Sequence, residues 1–166
     1  MAETVLSTLG DTASLLATDK VVCVTDPAGT PADNLASLTI LAARLAKLIP
    51  VEIGIVVGDE TTDLATGTAK VTFRVPYAMT VTGVRASVNT APTGSTLIVD
   101  IKDGGTTIFS TKLSIDASEK TSQTATPAVI SDTALADDAE ITINIDQVGS
   151  TVPGKGLKLW LIGTRA

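Results

Sequence analysis

Two acidic segments carry the side chains of this sequence that could do chemistry. Asp59, Glu60 and Asp63 lie in GDETTD, and Asp137 and Asp138 lie in LADDAE. Carboxylates grouped on a loop can ligate a hard cation such as Ca²⁺, and a suitably spaced pair can hydrolyse a glycosidic bond. Acidic residues beside strands are more often solvated turn formers. The sequence therefore leaves calcium binding open at both loops and favours turns over a glycosidase pair.

The residue types on which most enzymes rely are scarce. The sequence contains no histidine, which removes the usual general base and the commonest zinc ligand. Its single cysteine, Cys23, cannot form an internal disulfide, and its place in the apolar run KVVCVT predicts a buried, unreactive thiol. The segment KDGGTT lacks the Lys-Ser/Thr ending of a phosphate loop and is typical of a hairpin turn. We predict a protein that is not an enzyme and binds no metal, nucleotide or other cofactor.

Charge and hydropathy narrow the classes of partner. With 18 acidic against 12 basic residues, the chain repels phosphate on average, so we expect no nucleic-acid binding. The most apolar window, residues 38–57, contains Arg44, Lys47, Pro50 and Glu52, which argues against a membrane span and for a soluble protein. The start, MAETVLSTLGDTASLLATDK, lacks the basic region of a cleaved signal peptide. A reducing cytoplasm is the expected place of folding.

Residues 51–166 alternate between apolar and polar side chains, the period of half-buried antiparallel strands. In EITINID, for example, the isoleucines fall on one face and the polar residues on the other. Turn signals such as APTGS, DGGT and VPGKG separate the runs. We predict about nine strands, at residues 51–57, 70–75, 79–88, 96–102, 107–109, 112–116, 128–130, 140–146 and 156–162. The predicted fold is mainly β, an antiparallel β-sandwich of jelly-roll type.

Two of these strands have irregular features. In MTVTGVRASV the apolar phase shifts by one position across Gly83, which predicts a β-bulge. In GLKLWLIG the leucines share one face and leave Trp160 and Ile162 on the other, so the outer face of this strand is unusually apolar. Trp160 and Tyr77 are also the candidates for an aromatic platform beneath a sugar ring.

Residues 1–50 form a separate compositional unit, for which we predict a strand-turn-strand with flanking helices. KVVCVT is an apolar strand, DPAGTP a turn with Pro and Gly in favourable places, and DNLASL leads into a helix. Thr39 is the expected N-cap of this helix, and Pro50 is expected to end it.

The leucines of the predicted helix recur three, four and three positions apart, at Leu38, Leu41, Leu45 and Leu48. Left in water they would forfeit roughly 1.5 to 3 kcal/mol each, so something must cover them. The cover is either the protein's own chain or another subunit, and the sequence leaves both open. We predict residues 1–50 to be an anchoring and oligomerisation segment and residues 51–166 the β-sandwich domain. The candidate interface residues are Leu38, Leu41, Leu45, Leu48, Trp160 and Ile162.

Both parts of the chain resemble phage proteins. The segment LATDKVVCVTDPAGTPADNLASLTILAARLA resembles short modules near the amino ends of tailed-phage fibre and appendage proteins. The part that runs from GDETTDLATG through LADDAEITINIDQVGS is similar to a β-domain of virion proteins from aquatic phages. The resemblance implies a structural protein of the virion, generally trimeric and made in the host bacterial cytoplasm. Its partners would be its own copies and the major capsid protein or another virion protein, and no catalytic residue transfers.

Three functions remain in order of preference. The first is a homotrimeric capsid decoration, or cement, protein that stabilises the shell. The second is a tail fibre or receptor-binding subunit, which the lack of repeats and of a stalk disfavours. The third is a bacterial carbohydrate-binding module, which the scarcity of aromatic residues disfavours.

Overall fold

The structure of the protein, a computed structural model, describes residues 20–23, 34–37, 45 and 48–166. The chain divides into two compact units, Met1–Ala46 and Lys47–Ala166. The anchoring role predicted for residues 1–50 is a statement about function and stays a prediction.

The described part of the first unit is a pair of short antiparallel strands. Strand β1 (Lys20–Cys23) pairs with β2 (Asn34–Ser37), so that Lys20 lies opposite Ser37 and Cys23 opposite Asn34. The predicted pairing of two strands in this segment is therefore confirmed. The flanking helices, the Leu38 and Leu41 positions and the expected burial of the Cys23 thiol lie outside the described residues.

The second unit consists of antiparallel strands, and no helix occurs within residues 50–166. Its strands are β3 (Pro50–Val56), β4 (Gly67–Arg74), β5 (Met79–Ser87), β6 (Leu97–Asp103), β7 (Thr106–Thr107), β8 (Phe109–Thr111), β9 (Leu113–Ile115), β10 (Val129–Ile130), β11 (Ala134–Leu135), β12 (Glu140–Gln147) and β13 (Lys158–Arg165). The predicted mainly β, antiparallel class is confirmed.

These strands form two principal sheets. The four-stranded sheet has the order β11-β5-β13-β3, and the five-stranded sheet has the order β4-β12-β6-β7 with β9 also paired to β6. Strands β8 and β10 form a separate two-stranded pair. In the four-stranded sheet β13 is a central strand, with β3 on one side and β5 on the other.

Both sheets turn one face toward the same hydrophobic cluster. The alternating pattern places Leu159 and Leu161 of β13 in it, and likewise Ile141, Ile143 and Ile145 of β12. These are the residues that the period of two assigns to the inner face. Because the chain has few aromatic residues, aliphatic side chains fill most of this cluster. Trp160 and Ile162 fall on the opposite face of β13 and are half-buried.

The bulge predicted at Gly83 is confirmed. Ile162 of β13 lies opposite Gly83, whereas the next residue, Gly163, lies opposite Val81. Thr82 is therefore the extra residue in β5, and the phase of its buried side chains shifts at that point.

Some strand boundaries differ from the prediction. The strand expected at residues 107–109 is divided into β7, which pairs with β6, and β8, which pairs with β10. The fully buried Ile108 lies between them, and its carbonyl accepts from Ser131 N–H at 2.8 Å. Strand β11 has two residues, too few to show an alternation, and was not predicted.

Candidate functional site

Large apolar side chains are exposed mainly in one stretch of the chain, residues 45–56. Among the described residues, five large hydrophobic side chains are exposed: Leu45 (60%), Leu48 (74%), Ile49 (61%), Val56 (65%) and Val129 (51%). All but Val129 belong to residues 45–56, which we call the 45–56 stretch. Single exposed apolar residues are ordinary, but a concentration of them is typical of an interaction surface.

The 45–56 stretch includes the edge strand of the four-stranded sheet. Strand β3 is paired with β13 on one side, and within residues 48–166 no strand lies on its other side. An edge of this kind presents unpaired backbone donors and acceptors to a partner. Pro50 at its first position and the exposed charge of Glu52 are features that limit unwanted pairing.

The predicted interface residues do not form a single cluster in the described structure. Leu38 and Leu41 lie outside the described residues, whereas Leu45 and Leu48 are exposed. Trp160 and Ile162 come together in a groove on the outer face of β13. Whether any of these residues contacts another subunit stays a prediction.

Sequence reasoning did not select several residues that the structure places at these surfaces. Ile49 and Val56 are exposed members of the 45–56 stretch, and Val56 could have been found as an outward position in the alternating run VEIGIV. Arg85 and Glu52 line the groove beside Trp160, because Arg85 lies opposite Trp160 and Glu52 lies opposite Ile162 in the sheet. No sequence signal gives this cross-strand register.

The first acidic loop uses its carboxylates in local contacts. Asp59 accepts hydrogen bonds from the backbone N–H of Thr62 at 2.6 Å and from its hydroxyl at 2.8 Å. Thr61 donates similarly through its N–H at 2.7 Å and its hydroxyl at 2.9 Å. These donors, led by the Thr62 N–H, hold the pKa of Asp59 well below its usual range. The loop is closed by ion pairs of Lys155 with Asp63 at 3.4 Å and of Lys158 with Glu60.

The second acidic loop is also held by a basic side chain. Arg74 Nη1 lies 3.3 Å from Asp138 Oδ2, and its Nη2 lies 3.1 Å from Glu140 Oε2. Asp138 adopts a φ of 60°, which is typical of an Asp in a tight turn. Within the described part of the chain, no three His, Cys, Asp or Glu side chains are grouped so as to hold a metal ion. Both loops are thus arranged as turns.

A buried carboxylate forms a third polar cluster, on β6. Asp100 is 2% exposed, accepts from the hydroxyl of Thr107, and lies 3.2 Å from Lys112 Nζ. The same ammonium group lies 2.5 Å from Asp146 Oδ2. The hydrogen bond to Asp146, with the attraction of Asp100, raises the pKa of Lys112. This arrangement keeps the lysine protonated and therefore suits an ion pair, not a nucleophile or a base.

Comparison with known proteins gives no relative. No family model matches the chain, and no curated protein matches its sequence. In the described part of the chain, no helix has the length and apolar character needed to cross a membrane. A functional proposal therefore depends on the surfaces just described.

Proposed function

We propose that this chain is a structural protein of a phage particle, a homotrimeric capsid decoration protein that stabilises the shell. The observation that carries the proposal is the 45–56 stretch, with its exposed leucines, Ile49 and Val56 beside the free edge of β3. Covering these side chains would recover roughly 1.5 to 3 kcal/mol each. A protein with this surface is built to associate, and an assembly subunit is the role that uses the surface continuously.

The β-fold supports this role. We infer that the two principal sheets face each other as a β-sandwich of jelly-roll type, because both contribute to one hydrophobic cluster. The acidic loops and the Lys112 cluster are satisfied by internal contacts, which favours a mechanical role over a catalytic one. Such a domain can project from a surface while its preceding segment binds the shell.

Trimer formation would strengthen attachment. Three copies that each hold one site on the shell bind with an effective concentration that a single copy lacks. The partners in this proposal are two further copies of the chain and the major capsid protein or another virion protein. The place of the protein is the virion, after synthesis in the host cytoplasm.

A second candidate is a receptor-binding subunit of the tail. The observation that favours it is the groove beside Trp160, because a recognition protein needs a shaped site on its outer surface. A carbohydrate-binding module is the third candidate, and the presence of one Trp and one Tyr in the sequence disfavours it as the chain's main role.

Immunogold labelling of purified phage particles tests the proposal. Antibodies raised against residues 51–166 are expected to label the whole capsid at regular density. Labelling confined to the tail tip would replace this proposal with the receptor-binding candidate. Particles that carry no label, while the free chain is abundant in the same lysate, would overturn both.

A further inference from the structure

The outer face of the four-stranded sheet carries a groove built around Trp160. The cross-strand register sets Trp160 between Gly54 of β3 and Arg85 of β5. The neighbouring row sets Ile162 between Glu52 and Gly83. One sheet face therefore presents an aromatic ring, an aliphatic side chain and two opposite charges at adjacent positions.

The two glycines keep this face open. A Cβ atom at Gly54 would lie 3.7 Å from the indole Nε1 of Trp160, in van der Waals contact with the ring. At Gly83, a Cβ atom would meet no heavy atom within 4 Å, so the space beside Ile162 is empty. Larger residues at either position would fill the groove. Its volume is about 310 Å³, at the lower end of the range for small-molecule sites.

One wall of the groove is a segment fixed by hydrogen bonds to β5. Ser122 N–H donates to the Ala86 carbonyl at 3.0 Å, and its hydroxyl accepts from Ala86 N–H at 2.9 Å. Val88 N–H donates to the Lys120 carbonyl at 3.0 Å. Ser122 is buried, and the next residue, Gln123, lines the groove. The wall is therefore held in place before any ligand arrives, which lowers the entropic cost of binding.

The polar groups of the groove are available to a ligand. Within residues 48–166, neither Arg85 nor Glu52 forms an ion pair. In the same part of the chain, the cation that covers an aromatic ring is Arg165, 4.1 Å from the centre of Tyr77, so no cation covers the indole of Trp160. An aromatic face, a carboxylate, a guanidinium and an amide thus converge without satisfying one another.

We propose that the Trp160 groove binds a neutral saccharide, with one pyranose ring packed against the indole. The apolar face of a pyranose packs on an aromatic ring, while its hydroxyl groups require both acceptors and donors around the rim. Glu52 accepts from hydroxyls, Arg85 donates to ring and hydroxyl oxygens, and Gln123 does either. Binding at this groove does not depend on the proposed virion role and goes beyond it.

Other ligand classes fit the groove less well. The net charge of the chain is −6, and Glu52 lies at the groove itself, so a phosphorylated ligand such as a nucleotide is repelled. A purely apolar ligand would leave Arg85 and Glu52 desolvated and unpaired, which is costly. A neutral polyol with one apolar face avoids both penalties.

The intrinsic fluorescence of the full chain tests the proposal, because Trp160 is the only tryptophan in the sequence. Maltotriose, cellotriose and the trimer of N-acetylglucosamine serve as probes at millimolar concentration. At least one probe is expected to give a saturable change in emission. Arg85→Ala and Glu52→Gln are expected to weaken that binding by about tenfold or more, as loss of a hydrogen bond to a charged group implies.

Matched substitutions outside the groove serve as controls. Arg74→Ala and Glu140→Gln remove the same groups from the five-stranded sheet, where the two residues pair with each other. Both variants are expected to retain wild-type saccharide binding, and circular dichroism verifies that all four variants are folded.

Four outcomes would overturn the saccharide site. They are no response to any of the three probes, an equal response in the groove and control variants, a response to adenosine alone, and emission that changes with protein concentration and not with saccharide. The last would identify the groove as a subunit interface. Immunogold labelling is independent of all four, so failure of the saccharide site and failure of the virion role are distinguishable.

Discussion

At the scale of single residues, the most consequential contact is the burial of Asp100 against Lys112. A carboxylate that is 2% exposed needs a compensating charge, and the lysine supplies it from a side chain that is 42% exposed. The lysine also reaches Asp146 at the surface. Asp100 is therefore the member of this cluster whose partners cannot be replaced by water.

Replacement of Asp100 by Ala is expected to destabilise the protein by about 2 kcal/mol, because it leaves the Thr107 hydroxyl without its acceptor and removes a buried partner of Lys112. In thermal unfolding, the melting temperature should fall by roughly 5 to 10 °C. Asp146→Ala is the control, since it removes the more exposed acid from the same lysine and should cost less than about 1 kcal/mol. Equal losses in the two variants would contradict the assignment.

The raised pKa of Lys112 sets the pH range in which the cluster stabilises the fold. A lysine whose pKa is higher in the folded state contributes stability fully below its ordinary pKa of 10.5 and loses it as the pH rises through the folded value. The stability difference between wild type and Lys112→Met should therefore be present at neutral pH and vanish in strong alkali. A difference that grew with rising pH would contradict the ion pair.

Residue-level contacts were only partly predictable from the sequence. The acidic loops were recognised as turns or cation sites, and the preference for turns agrees with the hydrogen bonds that Asp59 accepts from Thr61 and Thr62. The Asp100 cluster was not found. Asp100 lies at an outward position of an alternating strand, where the period predicts solvent, and its burial depends on the position of Lys112 outside that strand.

At the scale of elements, the two glycines of the β5–β13 pair differ in how much room they have. A Cβ atom at Gly163 would lie 2.2 Å from the Thr80 carbonyl oxygen, because β13 and β5 approach closely beside the bulge. A Cβ atom at Gly83, on the other side of the bulge, would lie in open space. The sequence located the bulge at Gly83 by a shift of phase, but gave no sign that Gly163 is the constrained residue.

Replacement of Gly163 by Ala is expected to cost roughly 3 kcal/mol or more, since the added methyl group meets backbone that cannot move without opening the sheet. Gly83→Ala is the matched control, expected to change stability by less than about 0.5 kcal/mol. Urea denaturation measures both. A stable, fully folded Gly163→Ala variant would show that the two strands can separate at this point without loss.

Strand existence was more predictable than strand division. Long alternating runs such as EITINID gave β12 correctly, because the period of two is a direct result of burial on one face. The separation of β7 from β8 was missed, since it reflects hydrogen bonding to two different neighbours and not a change in side-chain pattern.

At the scale of the whole molecule, the 45–56 stretch governs association. We expect the wild-type chain to have a mass in solution three times its 16.9 kDa. Val56→Asp should shift it toward smaller species, because a carboxylate placed in an apolar interface costs several kcal/mol (about 2 or more). Light scattering coupled to size-exclusion chromatography at micromolar concentration measures the mass.

Val129→Asp is the control for this experiment, since it makes the same change at an exposed apolar position outside the 45–56 stretch. It should leave the mass unchanged. A monomeric wild-type chain, or equal behaviour of the two Val→Asp variants, would contradict an association surface at residues 45–56.

The sequence anticipated such a surface from four leucines, of which Leu45 and Leu48 are exposed in the described structure. It also placed Trp160 on the outer face of its strand. The groove around that residue could not be predicted, because its members come from three strands and a separate segment. Their meeting depends on cross-strand register, which a pattern within one strand does not contain.

The pairing of β3 with β13 has a mechanical consequence. Pro50 lies opposite Thr164, so the chain enters and leaves the Lys47–Ala166 unit at neighbouring points. Tension applied between those points would peel the two antiparallel strands apart one hydrogen-bonded pair at a time, instead of shearing the whole ladder at once. The unit is accordingly weak when it is pulled from both ends and unloaded when it is tethered by one. The same geometry lets it be spliced into a surface loop of another protein without holding that loop open.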